Sequence, residues 1–416
     1  MTSQPVLFAP RPLGTVPTQK TAPTRKAAAG RPFTLDSVFS ATARRSPKAV
    51  AVRDQAGCLS YGGAENRALQ LATGLVRNGL QLGDPVVVHC GDHRQSVVAQ
   101  LAVLKAGGVC VPVPADFGRQ AAARACEVSG AEVVLCGTAT RAGLPAAAQV
   151  VVLDDARTWA RLDALLPDPA LPRSGPMDAT YLMVDERGGQ LVDNRAWQCM
   201  LAARVQQIGA APGAVAVRQA PGGARTLSAM WWAFASGGTF LGLTREDDLV
   251  RGFGSGVAAL FSAEEYDRVL AAEPGGEAPA VVVLLGGPCP PSLLERHRAR
   301  YGASPLWGEF APVGGLLPWA VRQLGTEAPE ASGGTCVGGP MPNVYVRVLD
   351  RAGRVLPPGR VGELCAAGPA LPFDRVGGWE TRLGAPDPER GLLHRSSWLG
   401  RWRADGTLEL TGPRRP

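Results

Sequence analysis

Short apolar runs take turns with helix-patterned segments along most of this chain, and that alternation decides its fold class. Val86-Val87-Val88-His89-Cys90 reads as a buried strand. Ser96 to Ala106 reads as a helix, Val109 to Val113 as a strand, Arg119 to Val128 as a helix, and Ala131 to Cys136 and Val150 to Leu153 as further strands. Upstream, Gly62-Gly63 open an amphipathic segment in which Ala64, Ala68, Leu71 and Leu75 recur at helical spacing. Strands separated by helices predict a parallel sheet covered by helices on both faces.

A Pro-rich stretch, Leu166 to Pro176, interrupts the pattern, which then restarts. Tyr181 to Val184, Val215 to Gln219, Thr239 to Leu243 and Val281 to Leu285 read as strands. Arg195 to Ile208, Leu227 to Ala235 and Ser292 to Tyr301 read as helices. After Thr335 short strands and Gly/Pro turns dominate, with a hairpin turn at Ala404-Asp405-Gly406-Thr407. The expected architecture is α/β: two α/β lobes with parallel-sheet character, about 33–175 and 176–334, and a β-rich third lobe, 335–416. Residues 1–32 hold Arg11, Lys20, Arg25 and Lys26 among Pro, Thr and Ala. With no apolar signal-type core they read as a flexible leader, either a plain linker or a docking tail.

No apolar run approaches the roughly 20 residues of a membrane span, so no membrane partner and a cytoplasmic location are expected. The nine cysteines are scattered singly, which fits small buried hydrophobes in a reducing compartment and gives no zinc spacing. The net charge of +7 is modest and carried by arginine, since Lys20, Lys26, Lys48 and Lys105 are the only lysines. That arginine is not clustered with aromatics, so no nucleic-acid partner is expected. His89, His93, His297 and His394 are too scattered to form a metal site, and His89 reads as a core residue. Gly254-Ser255-Gly256 lacks the flanks of a nucleophile elbow. Met230-Trp231-Trp232-Ala233-Phe234 reads as core packing of a helix, or else as the lining of a pocket or partner contact.

Four segments, in order, carry a resemblance. They are Leu59-Ser60-Tyr61; Leu104-Lys105-Ala106-Gly107-Gly108-Val109-Cys110-Val111-Pro112; Val361-Gly362-Glu363-Leu364-Cys365; and Arg401-Trp402-Arg403-Ala404-Asp405-Gly406-Thr407-Leu408-Glu409. From about Phe33 to its end the chain resembles the large N-terminal part of a nonribosomal peptide synthetase adenylation domain, of the adenylate-forming, AMP-binding superfamily. Lys105 is expected to be a surface residue at a helix end, with Ala106 and Gly107 making a tight helix-to-strand turn.

Adenylation joins a carboxylate to the α-phosphate of ATP, which requires a phosphate cradle, a metal ligand and fixed charge. The resemblance implies where each belongs, and this chain departs from it at each place. The Gly/Ser/Thr-rich loop ending in Pro-Lys is replaced by Asp185-Glu186-Arg187-Gly188-Gly189, shorter, without hydroxyls or lysine, and with two carboxylates that repel polyphosphate. Gly188-Gly189 remain as a loop turn or a weak anion cradle. At Trp307-Gly308-Glu309-Phe310-Ala311 the family's threonine becomes Phe310 and its metal-binding glutamate Ala311, leaving Glu309 as the one nearby carboxylate. The acid that anchors an amino-acid ammonium falls at Gly223-Ala224, beside Arg225. The aspartate that holds the ribose becomes Trp398 in Ser396-Ser397-Trp398, an indole that accepts no hydrogen bond. The small C-terminal lobe with its catalytic lysine is expected to be absent, which would expose the surroundings of Trp398 and Trp402.

No catalytic, cofactor-binding or metal-binding residue is therefore assigned, and no cofactor. The expected role is a catalytically inactive adenylation-like domain that acts as a structural or docking component in nonribosomal peptide biosynthesis. Carrier-protein, condensation or MbtH-like components are its expected partners. The alternatives are a divergent adenylating ligase completed in trans by a separate C-terminal lobe, and an acyl-binding domain without turnover.

Overall fold

The computed structural model describes residues 33–168, 171, 174–186, 188–209, 213–243, 254–271, 277–325, 334–377 and 391–414. The expected leader, 1–32, lies outside them. The chain forms two compact units. The first runs to Arg195 and takes in Ala220–Gly223 and Arg375–Gly377; the second comprises Ala196–Gln219, Ala224–Asp374 and Gly378–Pro416. The fold is mixed α/β, as the alternation predicts.

In the first unit, helix α1 (Leu35–Arg45) precedes the antiparallel hairpin of β1 (Val50–Asp54) and β2 (Gly57–Ser60). Then come α2 (Tyr61–Arg77), β3 (Pro85–His89), α3 (His93–Lys105), β4 (Val109–Pro112), α4 (Arg119–Ser129), β5 (Val133–Cys136), β6 (Gln149–Val152), α5 (Ala156–Asp163), β7 (Ala179–Asp185) and β8 (Gly188–Asp193). Strand β3 pairs in parallel with both β4 and β5, and β5 with β6. The three strands β3, β4 and β5 are buried along their whole length, as strands covered on both faces must be. Ser60 and Asp92 cap α2 and α3 by accepting from the amides of Gly63 and Gln95.

The second unit holds α6 (Asn194–Ile208), β9 (Ala214–Arg218), α7 (Ala224–Ala235), β10 (Thr239–Leu243), β11 (Val257–Phe261), α8 (Ala263–Ala271), β12 (Val281–Gly286), α9 (Pro291–Tyr301) and β13 (Leu306–Phe310). Strands β10, β9, β11, β12 and β13 lie side by side in parallel. Beyond them the direction alternates through β14 (Ala320–Leu324), β15 (Thr335–Pro340), β16 (Tyr345–Leu349), β17 (Gly362–Ala367), β19 (His394–Trp402) and β20 (Leu408–Pro413), in the order β16-β17-β19-β20-β15-β14-β13. The short β18 (Asp374–Val376) closes the first unit's seven-stranded sheet beside β8. Trp231, Trp232 and Phe234 of α7 are fully buried, so the aromatic run is helix core. Among the described residues no helix is long and apolar enough to cross a membrane.

Candidate functional site

Lys105 is not on the surface. It is 6 % exposed, and its ammonium donates to Ser40 Oγ at 2.7 Å and to Glu65 Oε1 at 2.9 Å. The Ser40 hydroxyl donates to the same Glu65 oxygen at 2.8 Å. Lys105 therefore ties α3 to α1 and α2, and the expectation of a surface lysine is corrected. Burying an ammonium is tolerable only because a carboxylate and a hydroxyl meet it. The turn after it is as expected: Gly107 has φ +76°, which suits glycine at a helix end.

In the first unit, the segment that the resemblance makes a phosphate loop is a tight hairpin. Asp185 ends β7, Gly188 begins β8, and the two are paired directly. Gly188 and Gly189 are buried strand residues, not a loop. Gly188 has φ +135°, and a Cβ on Gly189 would stand 2.6 Å from Leu182 Cδ1. Glycine is needed here for close strand packing, so both glycine expectations give way to a structural role. Asp185 and Glu186 are exposed. Burial lowers the pKa of Arg375, and the charge of Asp185 opposes that shift only in part.

Within the second unit, Glu309 is fully buried and committed elsewhere. Its carboxylate takes two hydrogen bonds from Arg204, Nε to Oε1 at 2.8 Å and Nη2 to Oε2 at 2.5 Å. Arg204 also donates to the Ser228 carbonyl and hydroxyl and lies 5.1 Å from the Trp232 ring centre. This bidentate pair satisfies both carboxylate oxygens. Next along β13, Phe310 is buried and meets Trp398 of β19 edge to face, with ring centres 6.1 Å apart and planes at 81°. Ala311 is buried, its amide on the Gly286 carbonyl. Arg225, in the first turn of α7, is paired with Glu265 at 2.8 Å. Its charge is thereby balanced within the unit.

The four histidines are held singly. His89 Nδ1 lies 3.1 Å from the Val113 carbonyl, as a core residue would. His297 bridges Tyr266 Oη at 2.6 Å and the Ser304 carbonyl at 2.9 Å, and His394 Nε2 reaches the Pro372 carbonyl. Burial holds the His93 imidazole down at about 4. Among the described residues no three His, Cys, Asp or Glu side chains converge on a metal position.

The family profile described as AMP-binding enzyme matches residues 39–183 and 224–372. The chain belongs to that family. Peptide synthetases are among its relatives. It is 29 % identical to phosphinothricin tripeptide synthetase PhsB of Streptomyces viridochromogenes, over 91 % of this chain and 33 % of that protein. It is 25 % identical to tyrocidine synthase 3 of Brevibacillus parabrevis, over 91 % of this chain and 6 % of that protein. The chain thus spans at most about a third of either relative. The fold superposes on the AMPPNP-bound nonribosomal peptide synthetase FmoA3 with a TM-score of 0.82 at 22 % identity, over 93 % of this chain and 43 % of that one.

A magnesium–ATP group does not fit the residues that this AMP-binding family member places at its motif positions. Ala311 has no donor atom, Glu309 is spent on Arg204, and Trp398 presents an indole packed on Phe310. Within the first unit, the hairpin presents two exposed carboxylates at the position that the resemblance makes a phosphate loop. Sequence reasoning overlooked Arg204. The available signal was a cation inside the apolar pattern of α6, between Ala203 and Val205.

Proposed function

We propose that this adenylation-like chain forms no acyl-adenylate and serves as a docking or scaffold component of nonribosomal peptide assembly. The observation that carries this reading is the Phe310–Trp398 pair. The two positions belong to separate motifs, one expected to supply a hydroxyl and the other a ribose-holding carboxylate. Both now hold aromatic rings, and the rings pack on each other. Their packing on each other supports this reading, because the two positions fill core space with each other instead of presenting polar groups. The buried Arg204–Glu309 pair supports the same reading, because it removes the last nearby carboxylate from metal binding. On this reading the selected property is a surface, and the partners are carrier-protein, condensation or MbtH-like components in the cytoplasm.

Pyrophosphate exchange with each proteinogenic amino acid tests the proposal. No exchange is expected. Robust exchange by this chain alone overturns it. Exchange that appears only when a separate C-terminal lobe is added makes the chain a ligase completed in trans.

A further inference from the structure

The first unit holds a cavity of about 240 Å³. Leu59 of β2, Arg67 of α2, Arg94 and Val98 of α3, and Leu153, Asp154 and Trp159 from the end of β6 into α5 line it. Asp92, the cap of α3, and Gln95 complete it. An apolar cavity of about 150 Å³ holds benzene, so this one has room for a ring that carries a short chain. Its walls are fixed in place. Trp159 Nε1 donates to the Leu153 carbonyl at 2.6 Å, and the Arg67 guanidinium lies 5.2 Å from the Trp159 ring centre. Asp92 Oδ1 accepts from the Gln95 amide at 2.8 Å. Both oxygens of Asp154 accept from the Thr138 amide, and Oδ1 also accepts from its hydroxyl at 2.7 Å.

The charges of this lining do not cancel. Arg94 is spent on Asp54, Nε to Oδ1 at 3.0 Å. That leaves one guanidinium, Arg67, against two carboxylates, Asp92 and Asp154. Uncharged donors hold both carboxylates, and among the described residues neither forms an ion pair. Burial pushes the Asp92 carboxyl above its ordinary range, against the Gln95 amide that holds it down. A mostly apolar pocket with a few fixed polar groups is the form that small-molecule sites take, and groups already ordered cost little to engage.

We infer that this cavity binds a small organic ammonium ion with an apolar body. The ammonium answers Asp92 and Asp154, and the body lies against Leu59, Val98, Leu153 and the Trp159 ring. Arg67 balances one of the two acids, so a ligand with one positive charge brings the site to neutrality. An anion would add to the excess negative charge, and a zwitterion would leave it as it is. None of these residues stands where the resemblance puts phosphate, metal, substrate ammonium or ribose, so the site holds whether or not the chain forms an adenylate.

Isothermal titration of the full chain with phenethylamine is the test, beside phenylalanine, 3-phenylpropionate and 2-phenylethanol. The amine is expected to give saturable heat with a dissociation constant of about a millimolar or less, and the other three to bind at least about tenfold more weakly. Asp92→Asn and Asp154→Asn each keep an oxygen for the amide they accept from, and asparagine caps a helix as well as aspartate does. Both variants should therefore melt like the parent and bind the amine about tenfold more weakly. Arg67→Gln removes the competing cation and should bind the amine about threefold more tightly, a gain that a loosened wall cannot give. No saturable heat with phenethylamine overturns the site. Equal or tighter binding of any of the other three compounds overturns the ammonium ligand. So does amine binding untouched by both asparagine variants, or unchanged or weakened in Arg67→Gln.

Discussion

Phe310 and Trp398 meet edge to face, 6.1 Å between ring centres, although one ends β13 and the other lies in β19. Edge-to-face pairs are worth about 0.5–1.5 kcal/mol beyond the area they bury. A double-mutant cycle with Phe310→Ala and Trp398→Ala, read by urea unfolding, is expected to give a coupling energy in that range. Purely additive losses would mean the rings merely adjoin.

The Arg204–Glu309 pair is fully buried on both sides. Removing one partner leaves an uncompensated charge, so Glu309→Ala should destabilise by about 3–5 kcal/mol. The double replacement Arg204→Met/Glu309→Leu should recover most of that loss, because the pair's own desolvation cost disappears with it. Calorimetric or denaturant melts of the three variants check this. A Glu309→Ala variant as stable as the parent would return the carboxylate to candidacy as a ligand.

What the sequence disclosed, and what it hid, follows contact range. Strands β3 to β5 were legible because fully buried strands read as continuous apolar runs. The hairpin β7–β8 was read as strand then loop, because Gly188-Gly189 signal a turn unless Leu182 is known to press on Gly189. Lys105 was placed outside because Ser40 and Glu65 lie 65 and 40 residues away. Arg204 and Glu309 are 105 apart, so their union left only the odd cation in an apolar helix pattern. The departures at Phe310, Ala311 and Trp398 were readable singly; that two of them pack together was not.

Ser397 holds φ at +60°, in the left-handed region, ahead of Trp398. A side chain there costs energy that glycine avoids. Ser397→Gly is expected to raise stability by about 0.5–1 kcal/mol, seen as a higher melting temperature. A lower one would mean the Ser397 side chain contributes more than its backbone strain costs.

Burial keeps His93 neutral, with its pKa at about 4 against an ordinary value near 6.5. The unfolded chain therefore binds a proton at higher pH than the folded one. Stability from this residue is full above pH 6.5 and is lost as pH falls from 6.5 towards 4, by about 2 kcal/mol at pH 5. Urea melts at pH 7 and pH 5 should show the loss, and His93→Gln should lessen it. An unchanged pH slope in the variant would place the titration elsewhere.

The central claim is that the motif positions of this AMP-binding family member hold no magnesium–ATP. Isothermal titration of the full chain with ATP and Mg²⁺ measures that directly. The expected result is no saturable heat through millimolar ATP. A dissociation constant in the micromolar range, about −8 kcal/mol, would contradict the account.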